Sequence, residues 1–256
     1  MGTALVTGAS AGLGLEFAWQ LATARHDVVL VARDADRLER LAAQLRAAAG
    51  IQVEVLPADL TDPGDLERVA ERLRDTERPV GLLVNNAGLG LHQRFVTGDP
   101  AREEAALDLM VRAVLVLSRA AVEPMVRRGR GAILNVASVA ALTATGTYSA
   151  HKAWVRTFTE GLASELHGTG VTATVVCPGL THTEFHERAG IDQHVPEIAW
   201  LSADRVVATA LADVRRGAVI STPSLRYRAG SALLRVLPRS AVRALNRPRR
   251  ALGFGD

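Results

Sequence analysis

The stretch YSAHK sets the phenol of Tyr148 and the ammonium of Lys152 four residues apart. Residues i and i+4 share a helix face, so in a helical segment the two side chains are neighbours by construction. A phenol of pKa about 10 is too weak an acid, and its phenolate too rare a base, for work near neutral pH unless a nearby cation favours the charged form. Lys152 can supply that field. It is also the only lysine in a chain whose remaining long basic side chains are all arginine. A compact ammonium and a planar guanidinium are not interchangeable where a proton or a small hydroxyl must be addressed, so this single use is informative. On an ordinary helix surface the same two residues would have no joint chemistry, and the elements that place them decide the matter.

Those elements follow from the apolar pattern. TALVTG (3–8) is a short buried run ending in glycine, followed by helical spacing from Leu13 to Ala24. DVVLVAR (27–33) is a second such run, and the next helix has Asp34 near its start and Gly50 just beyond its end. The cycle continues through IQVEVLPADL, a helix from Pro63 to about Arg74, VGLLVNNAG, a long helix from about Arg102 to Arg128, GAILNVAS, the helix carrying YSAHK, and VTATVVCPG. A seventh strand is expected at GAVIST (217–222). Strands that are apolar on both faces and alternate with helices predict a doubly wound α/β domain of Rossmann type, with a parallel sheet of about seven strands and helices on both sides. No Pro-, Gly- or Ser-rich linker divides the 256 residues, so one cofactor-binding and catalytic domain is expected over 1–256.

In such a sheet a ligand lies beyond the carboxyl ends of the strands, at the switch point. The first strand runs into TGASAGLG, where Gly8 allows the turn, Gly12 the approach of a ligand and Gly14 close packing of the following helix. Ser10 and Leu13 belong to the same loop, and the helix N-terminus behind it suits a pyrophosphate. No Lys-Ser/Thr pair follows, which excludes a Walker loop. At the end of the second strand Arg33 precedes Asp34; a cation there suits a 2′-phosphate, so NADP(H) is expected over NAD(H). Asp59 and Leu60 fall on the same edge and could border the adenine. Asn85, Asn86, Ala87 and Gly88 follow the fourth strand, where small residues let the backbone pass along the cofactor.

The fifth strand ends at Ser138, shortly before the YSAHK helix. Serine, tyrosine and lysine therefore converge where a nicotinamide would lie. Hydride transfer to a carbonyl leaves charge on oxygen, which needs a proton and a second donor. Tyr148 is the expected acid and base, Ser138 the orienting donor, and Lys152 the group that tunes the phenol and reaches a ribose hydroxyl.

With these motifs in order, the chain resembles the short-chain dehydrogenase/reductase family from about Thr3 to about Phe185: TGASAGLG, NNAG, Ser138, YSAHK, and a PG followed by threonine in PGLTHTEF. The resemblance implies an NAD(P)(H)-dependent oxidoreductase acting on an alcohol/carbonyl pair, as a homodimer or homotetramer. It implies that Pro178 and Gly179 run beside the nicotinamide, that Thr183 contacts the carboxamide with Thr181 as second choice, and that 184–200 is a substrate lid. LASELHGTGV, VVCPGLTHTEF and the basic tail give a weaker likeness to reductases of fatty-acyl and steroid type, hence an apolar substrate. Two departures stand out. Met110 occupies the place of an asparagine that in the family helps carry protons from the lysine, and Ser138 and Tyr148 are ten positions apart where the family has twelve or thirteen. The shortened loop either opens the pocket or pulls the two hydroxyls out of register. The alternative reading is an NADP(H)-binding regulatory or structural protein with impaired chemistry, but all three residues of the set remain.

Other candidates carry less. His182, His186 and His194 lack a fixed carboxylate or further ligand, so no metal is expected. His151 points away from Tyr148 and Lys152 and reads as a helix-surface or interface residue. Cys177 stands alone in an apolar strand, which excludes an intrachain disulfide, suggests a buried thiol and favours the cytoplasm. Ser138 lacks a GxSxG elbow, against a hydrolase. From Arg215 to Arg250 there are ten arginines and no acid, and 224–250 forms a basic amphipathic tail. It could lie on an anionic membrane, but packing against the pocket or another subunit is preferred, and no nucleic-acid partner is expected.

Overall fold

The computed structural model describes residues 2–91, 93–183 and 196–245. Among them, strands β1 (Thr3–Thr7), β2 (Asp27–Ala32), β3 (Val53–Pro57), β4 (Val80–Asn85), β5 (Gly131–Val136), β6 (Val171–Val176) and β7 (Ile220–Ser221) form one sheet. Its order is β3-β2-β1-β4-β5-β6-β7, and every pairing is parallel. The helices are α1 (Gly12–Thr23), α2 (Ala35–Ala49), α3 (Pro63–Arg74), α4 (Pro100–Leu107), α5 (Ala113–Arg128), α6 (Gly146–Glu165), α7 (Ala203–Arg215), α8 (Leu225–Val236) and α9 (Arg239–Leu245).

Alternate strand residues feed opposite cores, as the two-residue period of a strand requires. Ala4, Val6, Val28 and Leu30 pack with Phe17 and Leu21 of α1, Leu38 and Leu45 of α2, and Val207 and Ala210 of α7. Leu5, Val29 and Val31 pack on the other side with Leu66 and Val69 of α3 and Leu117 and Ala121 of α5. Local signals start and stop the helices. Asp34 accepts from the Arg37 amide at 2.9 Å to open α2, and Gly50 closes it in the left-handed conformation.

From β1 the chain turns to β2 on one side, while β4 pairs on the other, so the carboxyl ends of β1 and β4 border a crevice. Below it, buried amides tie the elements together. Asn85 Nδ2 donates to Asn135 Oδ1 at 2.9 Å and to Ser118 Oγ at 3.1 Å, and Asn135 Nδ2 donates to Thr159 Oγ1 at 2.9 Å. This joins β4, β5, α5 and α6 through groups that would be costly to bury unpaired.

Two expectations need correction. The long helix from about Arg102 to Arg128 begins at Pro100 and contains a π-helical turn, Asp108–Arg112, with Met110 buried in it. The expected strand 217–222 narrows to Ile220–Ser221, although Val175 N also bonds to Val219 O at 2.8 Å. The tail forms two helices. α8 and α9 are separated at Leu237 and Pro238, and Tyr227, Ser231 and Leu234 of α8 face the protein. Residues 184–195 of the expected lid and 246–250 of the expected tail lie outside the described residues.

Candidate active site

The glycine loop is built from close contacts. Gly8 has φ +65°, a conformation side chains other than glycine rarely adopt, and a Cβ on Gly14 would stand 2.1 Å from the Gly8 carbonyl oxygen. Thr7 and Asn86 lock it in place. Thr7 Oγ1 accepts from the amides of Asn86 and Ala87, both at 3.0 Å, while Asn86 Nδ2 donates to Thr7 O at 2.9 Å. The NNAG motif thus serves first as a clamp on the phosphate loop, and Asn85 belongs to the buried amide network. Behind the loop, α1 starts at Gly12, and its N-cap, Ala11, offers no side-chain cap. Its terminal amides are left for an anion.

A cavity of about 870 Å³ runs from this loop to Tyr148. Of the expected cofactor residues, Gly8, Ser10, Gly12, Leu13, Arg33, Asp59, Leu60, Asn86, Ala87, Gly88, Tyr148, Lys152, Pro178, Gly179, Thr181 and Thr183 line it; Gly14 lies beneath. At one end Arg33 is exposed, with Nη1 3.9 Å from the Asp59 carboxylate. Arg37 lines the same end and pairs with Asp34 at 3.4 Å. Arg37 was missed at the sequence level, although it lies one helical turn past Arg33. Leu89, Leu91, Arg102, Ala105 and Leu109 also line the cavity without having been singled out. They come from the segment after NNAG and from the helix beyond it, and only the tertiary arrangement brings them here.

Ser138 ends the run after β5 and caps a 3₁₀ turn, Val139–Leu142, accepting from the Ala140 amide at 3.1 Å. That bond occupies a lone pair of its oxygen and leaves its proton to donate. Ser138 and Tyr148 line the same cavity across the ten-residue gap, and the Ser138 side chain acts to lower the Tyr148 phenol. Burial pushes the Tyr148 phenol up to about 12, and the nearby Ser138 side chain opposes that rise. Lys152 is buried, donates from Nζ to Val136 O at 2.8 Å and lies 5.8 Å from the centre of the Tyr148 ring. Desolvation pushes its ammonium down to about 8.

Met110 closes the site from the π turn. A Cβ on Gly88 would be 3.6 Å from Lys152 Nζ and 3.8 Å from the Met110 sulfur, ordinary contact distances that set the three residues side by side. The backbone carbonyl of Val136 provides Lys152 with the polar partner that a methionine cannot.

On the facing side, Thr183 lies over the glycine loop, and a Cβ on Gly12 would approach its Cβ at 3.3 Å. Thr181 is buried and pairs with Leu201 in a parallel bridge, which brings the two ends of 181–201 together. Tyr227 of α8 covers Gly179, donates to Ala199 O at 2.7 Å and accepts from Leu180 N at 3.2 Å. It is a positioning residue that the sequence did not single out.

His151 is not a surface residue. It is 8% exposed, its Nδ1 has no hydrogen-bond partner among the described residues, and burial depresses its basicity. His182 pairs with Glu197 at 2.8 Å and stacks on Trp200; His186 and His194 lie outside the described residues. Cys177 is buried, and burial pushes its thiol up to about 11, which suits the inert thiol expected.

The shape and donor set of the cavity fit a phosphorylated dinucleotide: uncapped helix amides at the glycine loop, two arginines at one end, and the hydroxyls of Ser138 and Tyr148 with the Lys152 ammonium at the other. Comparison with known proteins agrees. The model of the short chain dehydrogenase family matches residues 2–194. A short-chain dehydrogenase from Sphingobium yanoikuyae, solved in complex with NADPH, is 37% identical with TM-score 0.85, covering 99% of this chain and 98% of that one. A bulky-bulky ketone specific alcohol dehydrogenase from Comamonas testosteroni is 30% identical with TM-score 0.82, covering 99% and 97%. A ketoacyl reductase from Nostoc is 32% identical over 216 residues, 82% of this chain and 73% of the relative.

Proposed function

The chain belongs to the short chain dehydrogenase family and is an NAD(P)-dependent oxidoreductase of an alcohol/carbonyl pair; we propose that it uses NADP(H), with Tyr148, Ser138 and Lys152 as its catalytic set. The observation that carries this reading is the placing of Ser138, Tyr148 and a buried Lys152 in one cavity with the glycine loop. When bound, the nicotinamide supplies the hydride or accepts it. Tyr148 gives its proton to the carbonyl oxygen as that oxygen gains charge, and Ser138 donates a second hydrogen bond that holds the oxygen in place. In the reverse direction Tyr148 takes the alcohol proton. Lys152 holds the local positive charge that either transfer requires.

Arg33 and Arg37 support the NADP(H) preference, as does the NADPH complex of the Sphingobium relative. Gly12, Ser10 and Leu13 would hold the pyrophosphate, Asp59 and Leu60 the adenine, Asn86, Ala87 and Gly88 the adjoining ribose, and Pro178, Gly179, Thr181 and Thr183 the nicotinamide. Leu89, Leu91 and Leu109 favour an apolar carbonyl compound. We also take 1–256 as one unit acting as a homodimer or homotetramer; the exposed Leu107, Leu115 and Val126 on α4 and α5 are consistent with association. A cytoplasmic location is inferred from the lone cysteine. No helix among the described residues is long and apolar enough to cross a membrane.

Two measurements test the reading. NADPH should bind more tightly than NADH when each is titrated into the pure protein, and equal affinities would remove the role given to Arg33. Once a screen of carbonyl compounds by NADPH oxidation has found a substrate, Tyr148→Phe should lower turnover by roughly 10²- to 10⁴-fold with cofactor affinity nearly intact. Retained turnover would place the acid elsewhere.

A further inference from the structure

Helix α8 has two apolar faces, and the protein covers only one. Tyr227, Ser231 and Leu234 turn inward, and the Tyr227 hydroxyl fastens the helix to Leu180 and Ala199. Leu225, Ala229, Ala232, Leu233 and Val236 recur at the spacing of a second face and are exposed, with Leu225 at 79%, Leu233 at 59% and Val236 at 78%. Arg228 and Arg235 run along one border of this stripe and Arg226 along the other; Arg239 and Arg243 continue the charge on α9. Among the described residues no carboxylate pairs with any of these five arginines, and the sequence has no acid from Val214 to Arg250. Arg226 and Arg239 are steadied by donating to Trp200 O at 3.1 Å and Leu142 O at 3.2 Å. Ile198, 76% exposed, sits on the turn that α8 clamps, and the nearby Glu197 is taken up by His182.

We propose that the outward face of α8 docks on an anionic lipid surface. An apolar stripe bordered on both sides by arginine and free of acid matches a helix lying in the plane of a bilayer interface, its leucines among the acyl chains and its guanidiniums at the phosphates. Charge decides against a second copy of the chain. A two-fold contact through this stripe would bring the same arginines of both copies together, whereas an anionic bilayer attracts all of them. Size argues in the same direction, because 12 residues make a helix about 18 Å long, narrow for a protein interface of ordinary size. The inward side of α8 holds the Gly179–Leu180 turn at the wall of the cavity, so docking would set the site close to the bilayer surface. The proposal does not depend on the redox reading.

Sedimentation of the full chain with vesicles tests it. Vesicles of phosphatidylglycerol and phosphatidylcholine, 1:3 by mole, are compared with phosphatidylcholine alone. The expected result is at least roughly tenfold stronger partition into the anionic vesicles, weakening as salt rises. Arg228→Gln should weaken it about fivefold, and Leu233→Asp with Val236→Asp should abolish it while NADPH affinity is unchanged. Leu233→Trp keeps the stripe apolar and covers the case in which the aspartates prevent folding: its fluorescence should shift blue on anionic vesicles and be quenched by brominated lipid. The proposal is overturned if the parent chain ignores anionic vesicles, if the aspartate pair leaves binding intact, or if the tryptophan signal stays that of water. Loss of oligomer mass in the aspartate pair, with no vesicle binding by the parent, would assign the stripe to a second copy and overturn it equally.

Discussion

Tyr148 and Lys152 are shifted by burial in opposite senses, the phenol up to about 12 and the ammonium down to about 8. The sign matters for the lysine. A base whose value falls below its ordinary 10.5 releases its proton earlier, so the charge at the site is complete well below pH 8, is half gone near 8 and is lost above it. Because Lys152 is the only lysine, a protein grown with ¹³C-lysine gives one side-chain signal. Its shift should titrate with a midpoint near 8, and a midpoint at 10 or above would contradict the burial described here. Met110 is a second point of test. Met110→Asn should change turnover by less than about tenfold, with NADPH affinity nearly unchanged, because Lys152 already donates to Val136 O. A gain of several orders of magnitude would show that the relay is broken in the parent. The Tyr148–Lys152 pair, on which the proposed set rests, stood out because tyrosine and lysine are rare in this chain and their spacing is helical. Arg37 and Tyr227 did not, since an arginine in an arginine-rich chain and a tyrosine in a tail carry no local mark of the cleft they face.

At the scale of elements, the strand-loop-helix unit at the start was legible in full, because glycine at three fixed places has few other uses. Gly14→Ala tests its packing: a Cβ 2.1 Å from the Gly8 carbonyl cannot be housed without moving the loop, so NADPH affinity should fall at least about tenfold in a titration. An unchanged affinity would mean that the loop does not hold the phosphates. The π turn at Asp108–Arg112 was not legible. DLMVR contains neither proline nor glycine, and its extra residue per turn shows only where α6 packs beside it. Nor could sequence show that Tyr227 of α8 ties down the turn at Gly179. Tyr227→Phe removes two hydrogen bonds there and should lower unfolding stability by about 1–3 kcal/mol in urea titration. No loss would mean that the clamp is incidental.

For the whole molecule, the alternation of buried runs and helices was enough to give a parallel sheet covered on both faces, since Ala4 and Leu5 can be satisfied together only if both sides are packed. Register and edges were less visible. β7 is shorter than its apolar run because only Ile220 and Ser221 meet β6 in register, and the pairing of Asn85 with Asn135 joins residues fifty positions apart. The lone, buried lysine has a consequence of another kind. A protease that cuts only after lysine finds a single site in all 256 residues, and that site lies inside α6 against β5. The folded chain should therefore resist such an enzyme until the helix opens, then split once, into pieces of 152 and 104 residues (256 − 152 = 104). The rate of that one cut would report how often α6 leaves the sheet, and NADPH should slow it in proportion to its occupancy of the cleft.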